Sequence, residues 1–114
     1  MLKNAFRLYN EIEKKTKRKT YLRSAYFKKE KVFFDYFKKH IFQKSPRERM
    51  KRLKYFKAAI ELIKYSKNKP IIKENGKEVF YRFAGMTKER ELFYVQIKEN
   101  KKGEKYFMSC FPPG

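Results

Sequence analysis

His40 is the only histidine in the chain, and the only side chain that titrates near neutrality without help from its surroundings. Its chemical company is cationic and hydroxylic, not acidic. Lys and Arg number 32 against 12 Asp and Glu, and Tyr numbers nine. Asp35 is the sole aspartate, and most of the glutamates sit beside lysines in polar runs. A two-metal site needs several convergent carboxylates, and this inventory does not supply them. A lone Cys110 and a lone His40 likewise exclude a Cys- or His-based metal cluster. Neither a metal nor another cofactor is expected. These residue types suit a phosphodiester that carries its own nucleophile, as RNA does in its 2′-hydroxyl. Cleavage then needs a group to take the hydroxyl proton, cations to stabilise a pentacovalent phosphorane, and an acid for the leaving 5′-oxygen. His, Lys, Arg and Tyr can fill these roles, with Ser or Thr holding phosphate oxygens. His40 falls one helical turn beyond Tyr36, on or beside an apolar stripe. A hydrogen-bonded role at the core edge competes there with an acid–base role.

The elements that must position such groups follow from composition. A length of 114 residues allows one domain, 1–114. With 41% hydrophobic and 18% aromatic residues the chain can bury a core, unlike a disordered basic tail. The net charge of +20 points to a polyanion: nucleic acid, an anionic membrane surface or an acidic protein. No apolar run is long enough for a transmembrane helix or a signal-peptide core. The expected location is therefore a reducing cytoplasm, with no membrane as partner.

Along the chain, Leu2, Phe6, Tyr9 and Ile12 predict a helix over Met1–Lys15, and a basic stretch to residue 20 reads as a solvated linker or a phosphate-contacting arm. Residues 21–69 read as a helical half. Val32, Phe33, Tyr36, Phe37, Ile41 and Phe42 fit one face of a helix over Lys29–Phe42. Ser45-Pro46-Arg47-Glu48 is a capping box with Pro at the first helical position, and Leu53, Phe56, Ile60 and Ile63 form the stripe of the helix it starts. Pro70 ends that helix. Residues 70–112 change period. Asn75-Gly76 is a hairpin signal, Gly85–Arg90 reads as a loop, and Leu92–Lys98 and Lys105–Phe111 read as strands. The predicted class is α+β: N-terminal helices followed by an antiparallel sheet of about four strands.

Strand alternation assigns Phe80, Phe93, Val95, Ile97, Tyr106, Met108 and Cys110 to a face covered by helices. Tyr81, Phe83, Tyr94, Gln96, Lys98, Phe107, Ser109 and Phe111 then share the other face. That second set mixes aromatic rings with a hydroxyl, an amide and an ammonium, as nucleic-acid platforms do. Tyr81, Tyr94 and Gln96 are the expected RNA-contacting residues, and Lys98 stands out from the other lysines. The alternative is a second aromatic cluster under the N-terminal helix. A one-residue slip would exchange the two sets, and Arg82, placed on the helix-covered side, is awkward there.

Three stretches carry a resemblance: Tyr81-Arg82-Phe83-Ala84-Gly85-Met86-Thr87, Phe93-Tyr94-Val95-Gln96-Ile97-Lys98-Glu99, and Lys105-Tyr106-Phe107-Met108-Ser109-Cys110-Phe111-Pro112. Together they resemble the barnase–EndoU–colicin–RelE superfamily of small ribonucleases, and within it the phage and mobile-element branch. Tyr26-Phe27 through Arg47, Lys54, Tyr55 and Phe56 is similar to the helical half of those proteins, so the likeness covers residues 21–112. The resemblance implies a toxin that cleaves RNA without a metal and is held inactive by an acidic antitoxin or immunity protein. It implies a site on the sheet, completed by a basic or histidine residue from the helical half. Carried over by position, His40 matches the helical histidine, Arg82 and Lys98 the strand cations, Thr87 the loop hydroxyl and Ser109 the last-strand hydroxyl. Members differ in which residue does the acid–base work, and some have no histidine. Arg52 and Lys54 read as phosphate clamps or as a solvated helix face. A non-catalytic RNA- or DNA-binding protein is the competing functional reading.

Overall fold

From Tyr21 onward, two strands come before the three helices. The computed structural model describes residues 7, 10, 20–41 and 43–113, so all but Arg7 and Asn10 of the helix expected over Met1–Lys15, most of the basic linker and Phe42 lie outside the described residues. β1 (Tyr21–Ser24) and β2 (Glu30–Phe33) form an antiparallel pair with Leu22 opposite Val32. They lead into α1 (Asp35–Ile41), α2 (Pro46–Lys54) and α3 (Phe56–Tyr65). β3 (Ile71–Asn75), β4 (Glu78–Met86), β5 (Leu92–Glu99) and β6 (Lys105–Phe111) complete the fold. The sheet order is β1-β2-β6-β5-β4-β3, with β2 parallel to β6 and every other pairing antiparallel.

This corrects the expected class. Among the described residues the architecture is α+β with six strands in one mixed sheet and three helices inserted after the second strand. It is not a set of N-terminal helices followed by about four antiparallel strands. The expected helix over Lys29–Phe42 is strand over Glu30–Phe33 and helix only over Asp35–Ile41. Val32 and Phe34 are fully buried while Lys31 is exposed and Phe33 half-buried, the alternation of a strand. The same apolar positions fit both periods, and the edge of β6 decides between them by pairing Val32 with Lys105 and Phe33 with Tyr106. Propensity yields to tertiary pairing here.

The capped helix begins as expected, with Pro46 in its first turn and the Glu48 amide donating to Ser45 Oγ at 3.3 Å. Asn75-Gly76 turns the β3–β4 hairpin, Gly76 taking a φ of 66° that a side chain would disfavour. The core fills the space between the helices and one sheet face. Phe107 stacks on Phe34 with centroids 4.8 Å apart, Phe37 stacks on Phe56 at 5.4 Å, and α3 adds Ala59, Ile60 and Ile63. Gly85 lets α3 approach β4, because a Cβ there would lie 2.6 Å from Leu62 Cδ1 and 2.8 Å from the Phe93 ring.

The faces of the sheet are partly exchanged relative to expectation. β5 behaves as read, with Phe93, Val95 and Ile97 buried. β4 is inverted. It continues through Gly85 and Met86, and the turn is Thr87–Glu91 instead of Gly85–Arg90, so Tyr81 and Phe83 lie opposite Ile97 and Val95 on the core face. Phe80 and Arg82 take the other face, which removes the difficulty of a cation under the helices. β6 is split by a bulge: Gln96 pairs with Ser109 but Ile97 pairs with Phe107, leaving Met108 over. Cys110 stays in the core, Ser109 and Phe111 stay opposite it, and Phe107 goes inward while Tyr106 goes outward.

Candidate functional site

The pairing of β2 with β6 reaches only to Tyr106, and beyond it α1 and α2 pack against β6. A cleft of about 760 Å³ opens at this junction. α1 and the turn after it contribute Tyr36, His40, Gln43 and Lys44; α2 contributes Glu48, Lys51 and Arg52; Gln96, Ser109 and Phe111 come from the sheet face opposite the core. Its lining cations outnumber its one carboxylate, so the cleft favours an anion.

Arg52 is the best-anchored of these groups. Its Nη1 donates to Ser109 Oγ at 2.7 Å, and Ser109 Oγ lies 3.4 Å from the Cys110 carbonyl, to which it donates. The guanidinium carbon sits 6.0 Å from the Phe111 ring centre, and Nη2 lies 3.9 Å from Glu48 Oε2. The Arg52 side chain is 22% exposed. Among the described residues its buried Nε–H finds no acceptor. Such a guanidinium keeps unspent donor capacity beside a cleft. Its backbone is fixed from below, where Cys110 Sγ donates to the Arg52 carbonyl at 3.0 Å. Burial pushes the Cys110 thiol up to about 12, so it remains a protonated donor and no nucleophile.

His40 rests on Tyr36, ring centroids 4.0 Å apart, and its Nδ1 lies 3.1 Å from Gln43 Oε1. If Gln43 Oε1 is the acceptor, the ring nitrogen facing it is the donor, and Nε2 is the nitrogen left to face a substrate. Beside the cleft, on the same sheet face, Arg82 lies opposite Gln96 and sits 5.7 Å over the Tyr94 ring and 5.5 Å over Phe111. Lys98 pairs with Glu78 at 2.9 Å and lies 5.9 Å from the Tyr36 ring.

The expected site residues therefore divide. His40, Arg52, Gln96 and Ser109 share the cleft, and Arg82, Tyr94 and Lys98 border it. Thr87, Lys54 and Tyr81 are elsewhere. Thr87 Oγ1 accepts from the Glu91 amide at 3.1 Å and closes the β4–β5 turn. Lys54 binds Glu91 at 2.8 Å, a hydrogen bond that raises the lysine above and lowers the glutamate below its ordinary range. Tyr81 lies on the core face and donates to Glu99 at 3.2 Å; burial first, then Glu99, pushes its phenol up to about 12. Glu99 in turn joins Glu30 in holding the buried Lys105 ammonium, at 3.1 and 2.7 Å. Burial works against that charge, but the hydrogen bonds it donates to Glu30 and Glu99 carry Lys105 above its ordinary value.

Sequence reasoning did not single out Tyr36, Lys44, Lys51 or Glu48 for the site. The signal was available for two of them. Tyr36 and His40 are one turn apart and share a helix face, and Glu48 stands three and four residues before Lys51 and Arg52. The capping box assigns Glu48 to the helix start, yet its carboxylate turns to Lys51 at 3.7 Å and to Arg52. Among the described residues no group of His, Cys, Asp and Glu converges as a metal site, and no helix is long and apolar enough to cross a membrane. Compared with protein-family models, curated proteins and solved structures, the chain gives no match in any of the three.

Proposed function

We propose that the cleft between α1, α2 and β6 cleaves RNA without a metal, by attack of the substrate's own 2′-hydroxyl. The observation that carries this reading is the placement of Arg52, anchored by Ser109 at 2.7 Å, in the same cleft as His40. A guanidinium presents two parallel donors to phosphate oxygens and stabilises the charge that grows on them in the phosphorane. His40 Nε2 is the proton-transfer position. Lys44 and Lys51 add to the field that draws the phosphate in. Tyr94 and Phe111, with Arg82 over both, give flanking bases a surface to stack on. With the +20 charge and the likeness of the three strands to toxin ribonucleases, this supports a cytoplasmic toxin neutralised by an acidic protein.

A non-catalytic RNA-binding protein is the second reading, favoured by the ties of His40 to Tyr36 and Gln43, which suffice for a structural histidine. Incubation with a mixed RNA in excess EDTA separates the two. Fragments ending in 2′,3′-cyclic phosphate support the enzyme. Intact RNA of shifted mobility refutes it in favour of the binder.

A further inference from the structure

A second surface shares none of its residues with the cleft. The β1 strand, the β1–β2 turn, the end of α3 and the segment after it enclose a groove of about 810 Å³. Its floor is apolar, from Leu22, Ala25 and Tyr26, and Tyr65 stands on its wall at 70% exposure. Its remaining lining is six cations, Arg23, Lys28, Lys29, Lys64, Lys67 and Lys69, with no carboxylate. Among the described residues none of these six forms an ion pair. Lys64 lies instead 5.4 Å over the Tyr65 ring.

The backbone fixes the rim of the groove. Lys28 and Lys29 hold φ values of 55° and 68° in succession. The turn imposes them: the Lys29 amide donates to the Ser24 carbonyl at 2.7 Å and the Phe27 amide to Ser24 Oγ at 3.2 Å. Gly or Asn takes that conformation at lower cost. The turn thus holds two lysines side by side on the rim of the groove.

We infer that this groove holds a single-stranded segment of RNA, its phosphates on the lysine rim and a base on Tyr65. A groove that tracks the backbone electrostatically, combined with an aromatic ring for stacking, is how single strands are held without sequence preference. The inference deepens the ribonuclease reading and rests on it for the choice of RNA as the polyanion. The groove grips the strand apart from the bond that is cut.

The test uses the full chain and a 2′-O-methyl oligoribonucleotide, which cannot be cleaved, so binding is read independently of catalysis. The triple variant Lys64→Gln, Lys67→Gln, Lys69→Gln changes only exposed side chains. The slope of log affinity against log salt should become shallower by about two, since each phosphate contact on a single strand contributes about 0.7. Tyr65→Ala should weaken binding at least about fivefold through the lost stack. The control Lys73→Gln, Lys77→Gln, Lys101→Gln removes equal charge from exposed positions outside the groove and should leave the slope closer to that of the wild type. Equal slopes for the groove triple and the wild type overturn the inference, as does an equal loss in the control. Polyglutamate bound as tightly as the oligonucleotide, and weakened equally by Tyr65→Ala, overturns RNA as the occupant. Should the wild type fail to cleave RNA, the ribonuclease reading falls while this binding result still decides the groove.

Discussion

Replacing Arg52 by lysine keeps the charge and discards the fork. A lysine ammonium can still reach the Ser109 hydroxyl, but it cannot offer two coplanar donors to a phosphate. The structural cost should be small. A hydrogen bond from a charged donor contributes about 1.5–3 kcal/mol, and the native guanidinium already buries an unpartnered Nε–H, a penalty the lysine does not carry. The 3.9 Å contact with a half-exposed Glu48 adds next to nothing. We expect a net loss of about 1 kcal/mol, a fall in thermal midpoint of roughly 4 °C for a chain of this size. The catalytic cost should be much larger, about 10²–10³ in rate, the range for removing one well-placed donor to a developing oxyanion. Release of 2′,3′-cyclic phosphate termini from a short oligoribonucleotide, in EDTA and at a temperature where both proteins are folded, measures the second. Scanning calorimetry of the same preparations measures the first. Full activity in Arg52→Lys would refute the role of the guanidinium as the phosphate clamp. A stability loss large enough to account for the drop in rate would make Arg52 a structural residue.

His40→Gln should lower the cleavage rate by about 10²–10⁴-fold with little change in melting, if Nε2 transfers a proton. A protein about 1–2 kcal/mol less stable that cleaves normally per folded molecule would instead return His40 to the core edge. Lys105 is raised above 10.5 and Tyr81 from 10.0 to about 12 in the folded chain. Both groups therefore contribute stability that is complete below their unfolded values and lost as pH climbs through the folded ones. The thermal midpoint should fall between about pH 10 and pH 12, and more shallowly in Tyr81→Phe; a flat profile across that window contradicts the burial of this network. Gly85→Ala should cost about 1–3 kcal/mol by forcing Leu62 and Phe93 apart, measured by urea denaturation. A variant as stable as the wild type would mean that α3 does not press on β4 as described.

What was legible in the sequence was local chemistry. The Ser45 cap, the Asn75-Gly76 turn and the alternation of β5 each depend on a few adjacent residues, and the structure keeps all three. The misread features depend on partners distant in sequence. Lys31 to Phe34 carries a pattern that serves a helix or a strand, and only the edge of β6 chooses. The facing of β4 turned on whether the loop after it is Gly85–Arg90 or Thr87–Glu91, a difference of one residue that moves every side chain across the sheet. The candidate cleft was half legible for the same reason. His40 and Ser109 could be picked out by type. That Arg52 reaches Ser109, and that Thr87 and Lys54 serve the β4–β5 turn through Glu91, required the packing of α2 and β4.

The bulge at Met108 and the short reach of β2 together shape the cleft. Had β6 run without the bulge, Met108 would occupy the core position opposite Ile97, and Phe107, which stacks on Phe34, would be turned out of it. The extra residue lets Phe107 fill the core while Ser109 and Phe111 still face Gln96 and Tyr94 on the other side. Had β2 continued past Phe33, it would have covered the edge of β6 where α1 and α2 now pack. Phe34 ends the strand by entering the core completely, and the chain turns directly into α1 at Asp35. The free half of β6 then takes the Arg52 turn of α2, held by Cys110 Sγ, and brings its guanidinium to Ser109. The β1–β2 pair ahead of α1 and α2 thus places His40 and Arg52 beside the half of β6 that β2 leaves unpaired, within reach of the aromatic and cationic face next to it.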